Sequence, residues 1–451
     1  MSKQKQKGVR LSPTQIIAVV FAAIILLGTI LLALPISSRS GESIGILSAL
    51  FTATSTTCVT GLTAGDTYTL FSGFGQVVII TLIEIGGLGF MSMASLVIFV
   101  LRKKIGLRQR MVMAQALSVN EMESVVRLQK WVLLGSLIIQ LTGAVILFLR
   151  FLPDYGWKLA LKWGAFHSVS AFCNAGFDIF GELTPGASVA IFQNDPVVLI
   201  TLMALIVVGG LGFFVWEELL TERRFKRLSV YTKLVLITTG VLVFGGAGLF
   251  LLLEWNNPGT LGELSTGSKI LNGFFQSVTL RTAGFASFDQ AALTDAGKGA
   301  SLVFMLIGGS SGSTAGGAKT VTFVVLVLFL IARSRGKNTV NAFKRSISQD
   351  KIMDAATIVS IMTALALAGA VFITATCPVN FTDALFETVS ALGTVGITAG
   401  VTPLLSVPAK LLIIIFMYFG RVGILTISLG FLMGNKAEDR YRYASTNLLI
   451  G

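Results

Sequence analysis

Charged residues are scarce in this 451-residue chain. Asp, Glu, Lys and Arg make up 13% of it and hydrophobic residues 53%, with a mean hydropathy of +0.81. A soluble domain usually carries about 25% charged residues. Uninterrupted apolar runs near 20 residues recur along the whole length, and each is long enough to cross roughly 30 Å of hydrocarbon. The composition therefore excludes a soluble globular protein and predicts a membrane protein with several spans.

Histidine and cysteine are also rare. His167 is the single histidine, and Cys58, Cys173 and Cys377 are the three cysteines. Their spacing is not that of a metal site, and an odd count gives no disulfide framework. The sequence has no Walker A motif, no nucleophile–histidine pair and no paired carboxylates, so most acid–base schemes are excluded. We therefore predict that the protein is not an enzyme, since an integral-membrane enzyme would need polar clusters that the sequence lacks.

One motif occurs four times. It reads FTATSTTCVTGL at Phe51–Leu62, FHSVSAFCNAGF at Phe166–Phe177, FQSVTLRTAGF at Phe275–Phe285 and FETVSALGTVGI at Phe386–Ile397. Each copy opens with Phe, contains Ser or Thr, and closes on Gly followed by a large apolar residue. The closing glycines are 115, 108 and 112 residues apart, which is the length of a whole structural unit. The third copy is one residue shorter, so its register inside the motif stays open.

Each unit is predicted to contain a spanning helix, a short pore helix, the Gly motif and a second spanning helix. The units are residues 1–120, 121–228, 229–348 and 349–451, the last including the C-terminal tail. The predicted spans are Thr14–Leu34 and Gln76–Leu101, Trp131–Phe151 and Val197–Leu219, Thr232–Trp255 and Leu302–Ala332, and Ala355–Thr376 and Ala409–Met433. The pore helices, Ile44–Thr57, Leu159–Phe172, Lys269–Thr279 and Thr382–Leu392, are too short to span. The predicted fold is an all-α integral membrane protein of four helix–pore-helix–helix repeats, with eight spanning helices around one central pore.

The basic residues predict the topology. The net charge of +13 would suit a nucleic-acid partner, but positive-inside bias explains it more simply in a membrane protein. Twenty-five Lys and Arg residues lie in the N-terminus, the three links between repeats and the C-terminal tail, against seven in the loops of the other face. We therefore expect both termini and the links in the cytoplasm, the Gly motifs toward the outside, and no nucleic acid.

The Gly motifs are candidates for an ion filter. Non-helical backbone at membrane depth is tolerated only where protein buries it or where it lines a watery path. The C-terminal ends of the pore helices favour a cation, and the carbonyls beyond them can replace its hydration shell. Glycine suits this role because it can take φ > 0 and leaves the bore open. The predicted filter residues are Val59, Thr60, Gly61, Asn174, Ala175, Gly176, Thr282, Ala283, Gly284, Thr394, Val395 and Gly396.

Two further features lie in the second spanning helices. The third carries GGSSGSTAGGAKT, which is read either as close packing through small residues or as an unwound loop that gates the pore. The residues of this gate loop are Gly308, Gly309, Ser310, Ser311, Gly312, Ser313, Thr314, Ala315, Gly316, Gly317 and Lys319. Arg421, in the fourth, must face a polar interior; the alternative to a pore position is a buried ion pair, with Glu84 as its partner.

These residues resemble the membrane subunit of the Ktr/Trk/HKT superfamily of potassium transporters, most closely its KtrB type. The resemblance extends from the first span to the C-terminal ASTNLLIG. It implies that one glycine per repeat forms the filter, that Gly61 in place of Ser gives preference for K+, that the Gly308–Lys319 segment is the gate, and that Arg421 lies in the pore. The substrate would be K+, with Na+ as an activator.

The resemblance also implies partners. A cytoplasmic KtrA-like RCK ring would bind ATP or ADP and dock on the basic links, since no nucleotide site is visible in this chain. The family forms homodimers with one pore per protomer, and the apolar tail Ala444–Gly451 could lie at that interface. The expected location is the bacterial cell membrane, in contact with its lipids.

Two polar residues of the motifs are assigned supporting roles. Arg281 is expected to brace the filter from behind, because an exposed cation there would repel K+. His167, with no second ligand nearby, is expected to make hydrogen bonds within the packing rather than to bind a metal. The predicted function is K+ uptake through a single-file filter. The alternative is a secondary transporter of sodium, or of sodium and potassium, that works by alternating access, a class that also uses broken helices.

Overall fold

The structure, a computed structural model, describes residues 13–89 and 125–423. Within these ranges one arrangement recurs: a leading helix, a pore helix, a filter segment and an inner helix. The leading helices are Pro13–Ala33, the first part of Val125–Phe172, Val230–Gly240 continued through a π-helical turn at Val241–Gly245 into Gly246–Glu254, and Gln349–Thr376. The pore helices are Ile46–Thr57, the second part of Val125–Phe172, Thr266–Thr279 and Phe381–Gly393. The inner helices are Gly73–Leu88, Pro196–Leu211, Asp295–Leu306 and Val407–Val422.

Shorter elements connect these helices. Helices Phe213–Thr221 and Thr320–Ser334 follow the second and third inner helices, and Thr67–Leu70 is a single turn on the outer side. The 3-10 turns are Pro35–Ser37, Phe180–Glu182, Ala190–Phe192, Phe225–Arg227 and Thr402–Leu404. An antiparallel hairpin pairs Val340–Ala342 with Arg345–Ile347, with Val340 opposite Ile347. Among the described residues, this hairpin departs from the predicted all-α fold.

Four helices of the described ranges are long and apolar enough to cross a membrane. They are Gln15–Ala33, Gln129–Phe172, Val230–Glu254 and Gln349–Thr376, which are the leading helices. The second runs on into its pore helix with a break at Gly156, whose φ of 74° and ψ of 166° are non-helical. Two predicted spans, Gln76–Leu101 and Ala409–Met433, continue outside the described residues. The fold is that of a helical membrane protein, and the count of eight spans stays a prediction.

Within the described residues, the inner helices end earlier than the sequence predicts. Three of them end at a glycine with φ between 82° and 95°: Gly89, Gly212 and Gly423. At Gly212 the chain turns by 92° between Pro196–Leu211 and Phe213–Thr221, so the predicted span Val197–Leu219 is not one continuous helix. The third inner helix has a longer break. Within the predicted span Leu302–Ala332 the helix ends at Leu306, and the chain is helical again only from Thr320.

The Phe that opens each motif anchors its pore helix in the core. Phe51, Phe166, Phe275 and Phe386 are between 0% and 6% exposed. Each lies nine or ten residues before its filter glycine, and burial of so large a ring favours the rotation of the helix that turns the ring into the core. The repeated Phe therefore determines which face of each pore helix points toward the filter.

Candidate ion filter and gate

The four filter segments share an unusual backbone conformation. Two residues before each filter glycine stands a left-handed residue: Val59, Asn174, Thr282 and Thr394 have φ of 56°, 57°, 63° and 50°. The glycines themselves have φ of 101° (Gly61), 68° (Gly176), 81° (Gly284) and 89° (Gly396). Strain in non-glycine residues of this kind costs about 1–3 kcal/mol each and clusters at functional sites. Its occurrence at the same position in all four repeats indicates one shared function.

The four segments surround a single axis. Each filter glycine faces the carbonyl oxygen of the residue that precedes the filter glycine of the next repeat. The pairs are Gly61 with Ala175, Gly176 with Ala283, Gly284 with Val395, and Gly396 with Thr60, which closes the circle. A Cβ added at any of the first three glycines would lie 2.7 or 2.8 Å from that oxygen. Four carbonyl oxygens therefore encircle a narrow space from which side chains are excluded.

Hydroxyl groups of the pore helices hold the filter segments in place. Ser55 and Ser390 accept hydrogen bonds from the amides of Gly61 and Gly396, both at 3.1 Å. Ser170 and Thr279 donate to the carbonyl oxygens just after the filter glycines, those of Phe177 and Phe285, both at 2.6 Å. These four residues are not among the residues predicted from the sequence. Their signal is a Ser or Thr six residues before the glycine in three copies and five before it in the third.

The register of the shorter third motif follows from the backbone. In three repeats the amide of the residue before the filter glycine donates to the carbonyl five residues earlier, as Thr60 does to Ser55 at 2.8 Å. In the third repeat Ala283 donates to Thr279, only four residues earlier, at 2.9 Å. The missing residue therefore falls in the turn after the pore helix, and Thr282 is equivalent to Val59.

A cavity of about 450 Å³ lies on the side of the filter that the predicted topology places outside. All four filter glycines line it, together with Asp66, Asp178 and Asp289. Burial and the neighbouring Asp66 carboxylate raise the pKa of Asp178 to about 7. A concave surface lined by carboxylates concentrates cations, so this vestibule can supply cations to the filter.

The segment 307–319 lies on the opposite side of the filter. Thr314 Oγ1 donates to the Phe172 carbonyl oxygen at 3.0 Å and lies 3.2 Å from Asn174 Oδ1. A Cβ on Gly316 would collide with the Thr394 hydroxyl. The predicted gate loop is therefore packed directly against filter segments of the second and fourth repeats, and Ser310, Thr314 and Ala315 within it are buried.

Backbone hydrogen bonds attach the gate loop to the broken second inner helix. Ser310 and Thr314 donate to the carbonyls of Gly210 and Gly209 at 3.0 and 3.3 Å, and the Phe213 amide donates to Gly312 at 2.8 Å. The Tyr231 hydroxyl donates to the Ser311 carbonyl at 2.8 Å. These groups lie beside the break in the helix at Gly212. The gate loop and the broken helix therefore supply hydrogen-bond partners for each other's backbone groups.

Two basic side chains lie at the gate loop and bond to carbonyl oxygens. Lys319 Nζ donates to the Ala315 carbonyl at 2.7 Å, within the loop itself. The Arg421 guanidinium donates to the carbonyls of Thr314 and Gly86, and to that of Gly87 at 3.0 Å. Arg421 belongs to the fourth repeat, so it joins the gate loop to the first inner helix below the filter.

Glu84 is not the partner of Arg421 in the described part of the chain. Its carboxylate accepts hydrogen bonds from Gln140 Nε2 at 3.0 Å and from Cys173 Sγ at 3.3 Å. The alternative of a buried ion pair between Arg421 and Glu84 is therefore wrong. It failed because the carbonyls freed at Gly86 and Gly87, near the end of the inner helix, are nearer acceptors for the guanidinium.

The two supporting polar residues lie behind the filter. Arg281 is 3% exposed, and its guanidinium donates to Thr239 Oγ1 at 3.3 Å. Its carbonyl oxygen accepts from Asn174 Nδ2 at 3.3 Å. His167 is fully buried, stacks on Phe180 with ring centroids 3.7 Å apart, and forms a 2.7 Å hydrogen bond with the Trp163 carbonyl. Both arrangements fit the expected bracing and packing roles.

Comparison with known proteins agrees with this arrangement. Residues 2–439 match the TrkH family of cation transport proteins. The chain is 41% identical to the potassium/sodium uptake protein NtpJ of Enterococcus hirae, over 100% of this chain and 99% of that one. It is 40% identical to the Ktr system potassium uptake protein B of Bacillus subtilis, over 98% of each chain. The corresponding protein of Vibrio alginolyticus is 37% identical, over 100% of this chain and 96% of that one.

A solved structure shares the fold. The potassium transporter TrkH from Vibrio parahaemolyticus superposes with a TM-score of 0.73 at 17% sequence identity, over 95% of this chain and 86% of that one. The resemblance to the Ktr/Trk/HKT superfamily and to its KtrB type is confirmed by these matches. This chain belongs to the TrkH family of cation transport proteins.

Proposed function

We propose that this protein takes up K+ through the ring of four filter segments, in single file and down the electrochemical gradient. The observation that carries the proposal is the closed circle in which each filter glycine faces a carbonyl oxygen of the next repeat. Carbonyl dipoles arranged around an axis replace the water shell of a monovalent cation. The names of the relatives, which are potassium uptake proteins, support K+ as the substrate.

The gate loop controls this pathway. Its contacts with Asn174 and Thr394 put it beside the inner end of the filter, where ions would leave. Arg421 adds a fixed positive charge at the same level, which slows cations and restricts the rate of passage. Opening requires the loop to give up its hydrogen bonds to Gly209 and Gly210, so the energy must come from elsewhere in the protein or from a partner.

A cytoplasmic partner supplies that energy. Two of the relatives are components of a Ktr system, a name that implies further subunits. The proposed partner is a KtrA-like RCK ring that binds ATP or ADP and docks on the basic links of a homodimer in the bacterial cell membrane, with both termini cytoplasmic. Na+ is proposed as an activator on the family resemblance alone, since the name of the Enterococcus hirae relative, a potassium/sodium uptake protein, describes uptake and not activation.

Alternating access is the competing mechanism. It would require a site near the middle of the membrane that opens to each side in turn, usually between inverted repeats. The four repeats of this chain place equivalent glycines around one axis instead. That arrangement favours a filter with a gate over a rocking transporter.

The first test is growth of a bacterium that lacks its own potassium systems. The native chain, with the ring partner, is expected to restore growth at low K+, and Gly176→Asp to abolish it, because a Cβ there would lie 2.7 Å from the Gly284 Cα. Gly73→Asp is the matched control: Gly73 begins an inner helix and has open space around its Cα. Rubidium uptake with and without external Na+ then measures the sodium dependence. Equal rescue by Gly176→Asp would contradict the filter assignment.

A further inference from the structure

The second residue of each motif occupies one equivalent position in the pore helix. These residues follow the anchoring Phe directly and are Thr52, His167, Gln276 and Glu387. All four side chains are buried, with exposures of 0% or 1%. Four different chemical types at one buried position would be unexpected if the position only filled space, and the hydrogen bonds of each side chain show what it holds.

In two repeats this side chain holds the segment that follows the filter. His167 Nε2 accepts the amide of Ile179 at 3.2 Å, twelve residues further along the chain. Gln276 and Gln290 form a reciprocal pair, with Nε2–Oε1 distances of 2.7 and 3.1 Å. Gln290 lines the outer vestibule. In both cases a buried pore-helix side chain bonds to the segment that follows its filter glycine, and in the third repeat that segment lines the vestibule.

Glu387 does the same in the fourth repeat, with a carboxylate. One oxygen accepts the Thr398 hydroxyl at 2.7 Å and the other accepts the Thr402 hydroxyl. Thr398 Oγ1 in turn accepts the amides of Gly400 and Val401 at 3.1 and 3.2 Å. Thr398 and Thr402 both line the vestibule, so this carboxylate organises the loop that begins two residues after Gly396.

The first repeat provides the exception. The Thr52 hydroxyl makes no hydrogen bond within the described part of the chain. It is too short to reach the segment after its filter glycine. The first repeat is therefore a natural reference for a position that is buried but does not hold the outer loop.

We infer that Glu387 is a positioning residue for ion selection, which keeps the fourth filter segment in register by holding the outer loop through Thr398 and Thr402. This inference rests on the proposed function. The fourth segment is then attached at two ends: Ser390 holds the Gly396 amide from the pore helix, and Glu387 holds the loop above it. With the upper attachment removed, the carbonyl of Val395 is free to shift, and the ring accepts cations of other sizes more readily.

The test compares rubidium uptake and its inhibition by Na+ and K+ in membranes with the ring partner present. Two variants, Glu387→Ala and the double variant Thr398→Val/Thr402→Val, are expected to lower the preference for K+ over Na+ by about three- to tenfold. The effect is limited because water partly replaces the lost charged hydrogen bond. Glu387→Gln keeps one acceptor and should restore most of the preference. Thr52→Val is the matched control and should leave it unchanged.

Several outcomes would overturn the inference. Glu387→Ala could keep the wild-type preference for K+ over Na+ while its uptake falls only in proportion to protein abundance. In that case Glu387 stabilises the fold and has no role in ion selection. A normal Thr398→Val/Thr402→Val variant beside a defective Glu387→Gln would assign the effect to charge rather than to position. If Glu387→Ala does not accumulate, the threonine variant decides.

A second measurement separates this inference from the proposed function. Thermal stabilisation of the purified protein by K+ relative to Na+ reports binding without transport. A wild-type chain that is stabilised selectively by K+ but carries no rubidium would refute uptake while leaving the role of Glu387 measurable by the same assay. A wild-type chain that neither transports nor distinguishes the two ions would refute both.

Discussion

At the scale of single residues, Asp178 connects the vestibule to external pH. It lies two positions after Gly176, and its Oδ1 accepts the amide of Phe180 at 3.2 Å. Burial and the Asp66 carboxylate raise its pKa to about 7. Above that pH the Asp178 carboxylate is charged and attracts cations toward the filter; below it Asp178 is neutral and the vestibule loses one negative charge.

We therefore expect the concentration of K+ for half-maximal uptake to rise, by roughly two- to fivefold, as external pH falls from 8 to 6. Asp178→Asn should show the low-pH value at every pH, because its side chain cannot ionise. Asp289→Asn, which removes another vestibule carboxylate and leaves Asp178 in place, should weaken uptake but keep the pH dependence. A pH dependence that persists in Asp178→Asn would assign it to another group.

The residues of the filter were predictable to different degrees. The four glycines stand out in the sequence because the motif around them repeats, and the structure brings them together on one axis. Val59 and Thr394 were predicted as filter residues from the same motif, but nothing in the sequence indicated their left-handed conformation, since β-branched residues rarely adopt φ > 0. Their left-handed conformation is imposed by the turn after the pore helix and by the hydroxyls of Ser55 and Ser390, which are contacts that no local propensity encodes.

At the scale of elements, the interruptions of the inner helices were predicted only in part. The Gly-rich segment in the third was recognisable, because so many Gly and Ser residues would break a helix. The 92° turn at Gly212 was not, because GGLG is equally suited to close helix packing. The turn depends on tertiary contacts, because the carbonyls of Gly209 and Gly210 accept hydrogen bonds from the gate loop of another repeat.

The gate loop gives the prediction at this scale. Deleting residues 310–316 should raise rubidium uptake in the absence of the ring partner, because it removes the groups that pack against Asn174 and Thr394. Tyr231→Phe, which loses only the hydrogen bond to the Ser311 carbonyl, should produce a smaller increase in the same direction. The measurement is initial uptake rate per protein in membranes without the partner.

Tyr155→Phe is the control for the tyrosine variant, since that side chain packs against Phe151 and Trp163 far from the gate loop in sequence. It should leave the rate unchanged. If the deletion variant is present in the membrane and its flux still depends on the partner, the segment is not the gate. In that case its buried contacts serve to stabilise the broken inner helices.

At the scale of the whole molecule, the fourfold arrangement was predictable from the sequence, and the boundaries between the repeats stay predictions. The repeats follow from a motif spaced by more than 100 residues, and the matched family extends over residues 2–439. The divisions at 120, 228 and 348 stay predictions, as does the position of the tail Ala444–Gly451, which lies outside the described residues. The hairpin Val340–Ala342/Arg345–Ile347 was missed because it lies in a short charged link with little apolar alternation.

That hairpin is part of a basic surface on the face predicted to be cytoplasmic. Lys233 lies 5.7 Å from the ring centroid of Phe343, at the tip of the hairpin, and so connects it to the link between the second and third repeats. Arg227, Phe343 and Lys344 are exposed. An exposed aromatic side chain among positive charges suits a protein partner with an acidic surface, which is the role proposed for the ring.

We expect the double charge reversal Arg227→Glu/Lys344→Glu to reduce partner-dependent rubidium uptake several-fold while leaving the partner-independent rate unchanged. The physical reason is that reversed charges repel an acidic docking surface, and this effect should diminish at high ionic strength because exposed charges are screened over about 8–10 Å. Lys158→Glu, on the opposite face, is the matched control and should retain full activation. Equal loss of both rates would indicate damage to the pore itself, and unchanged activation would place the docking surface elsewhere on the cytoplasmic side.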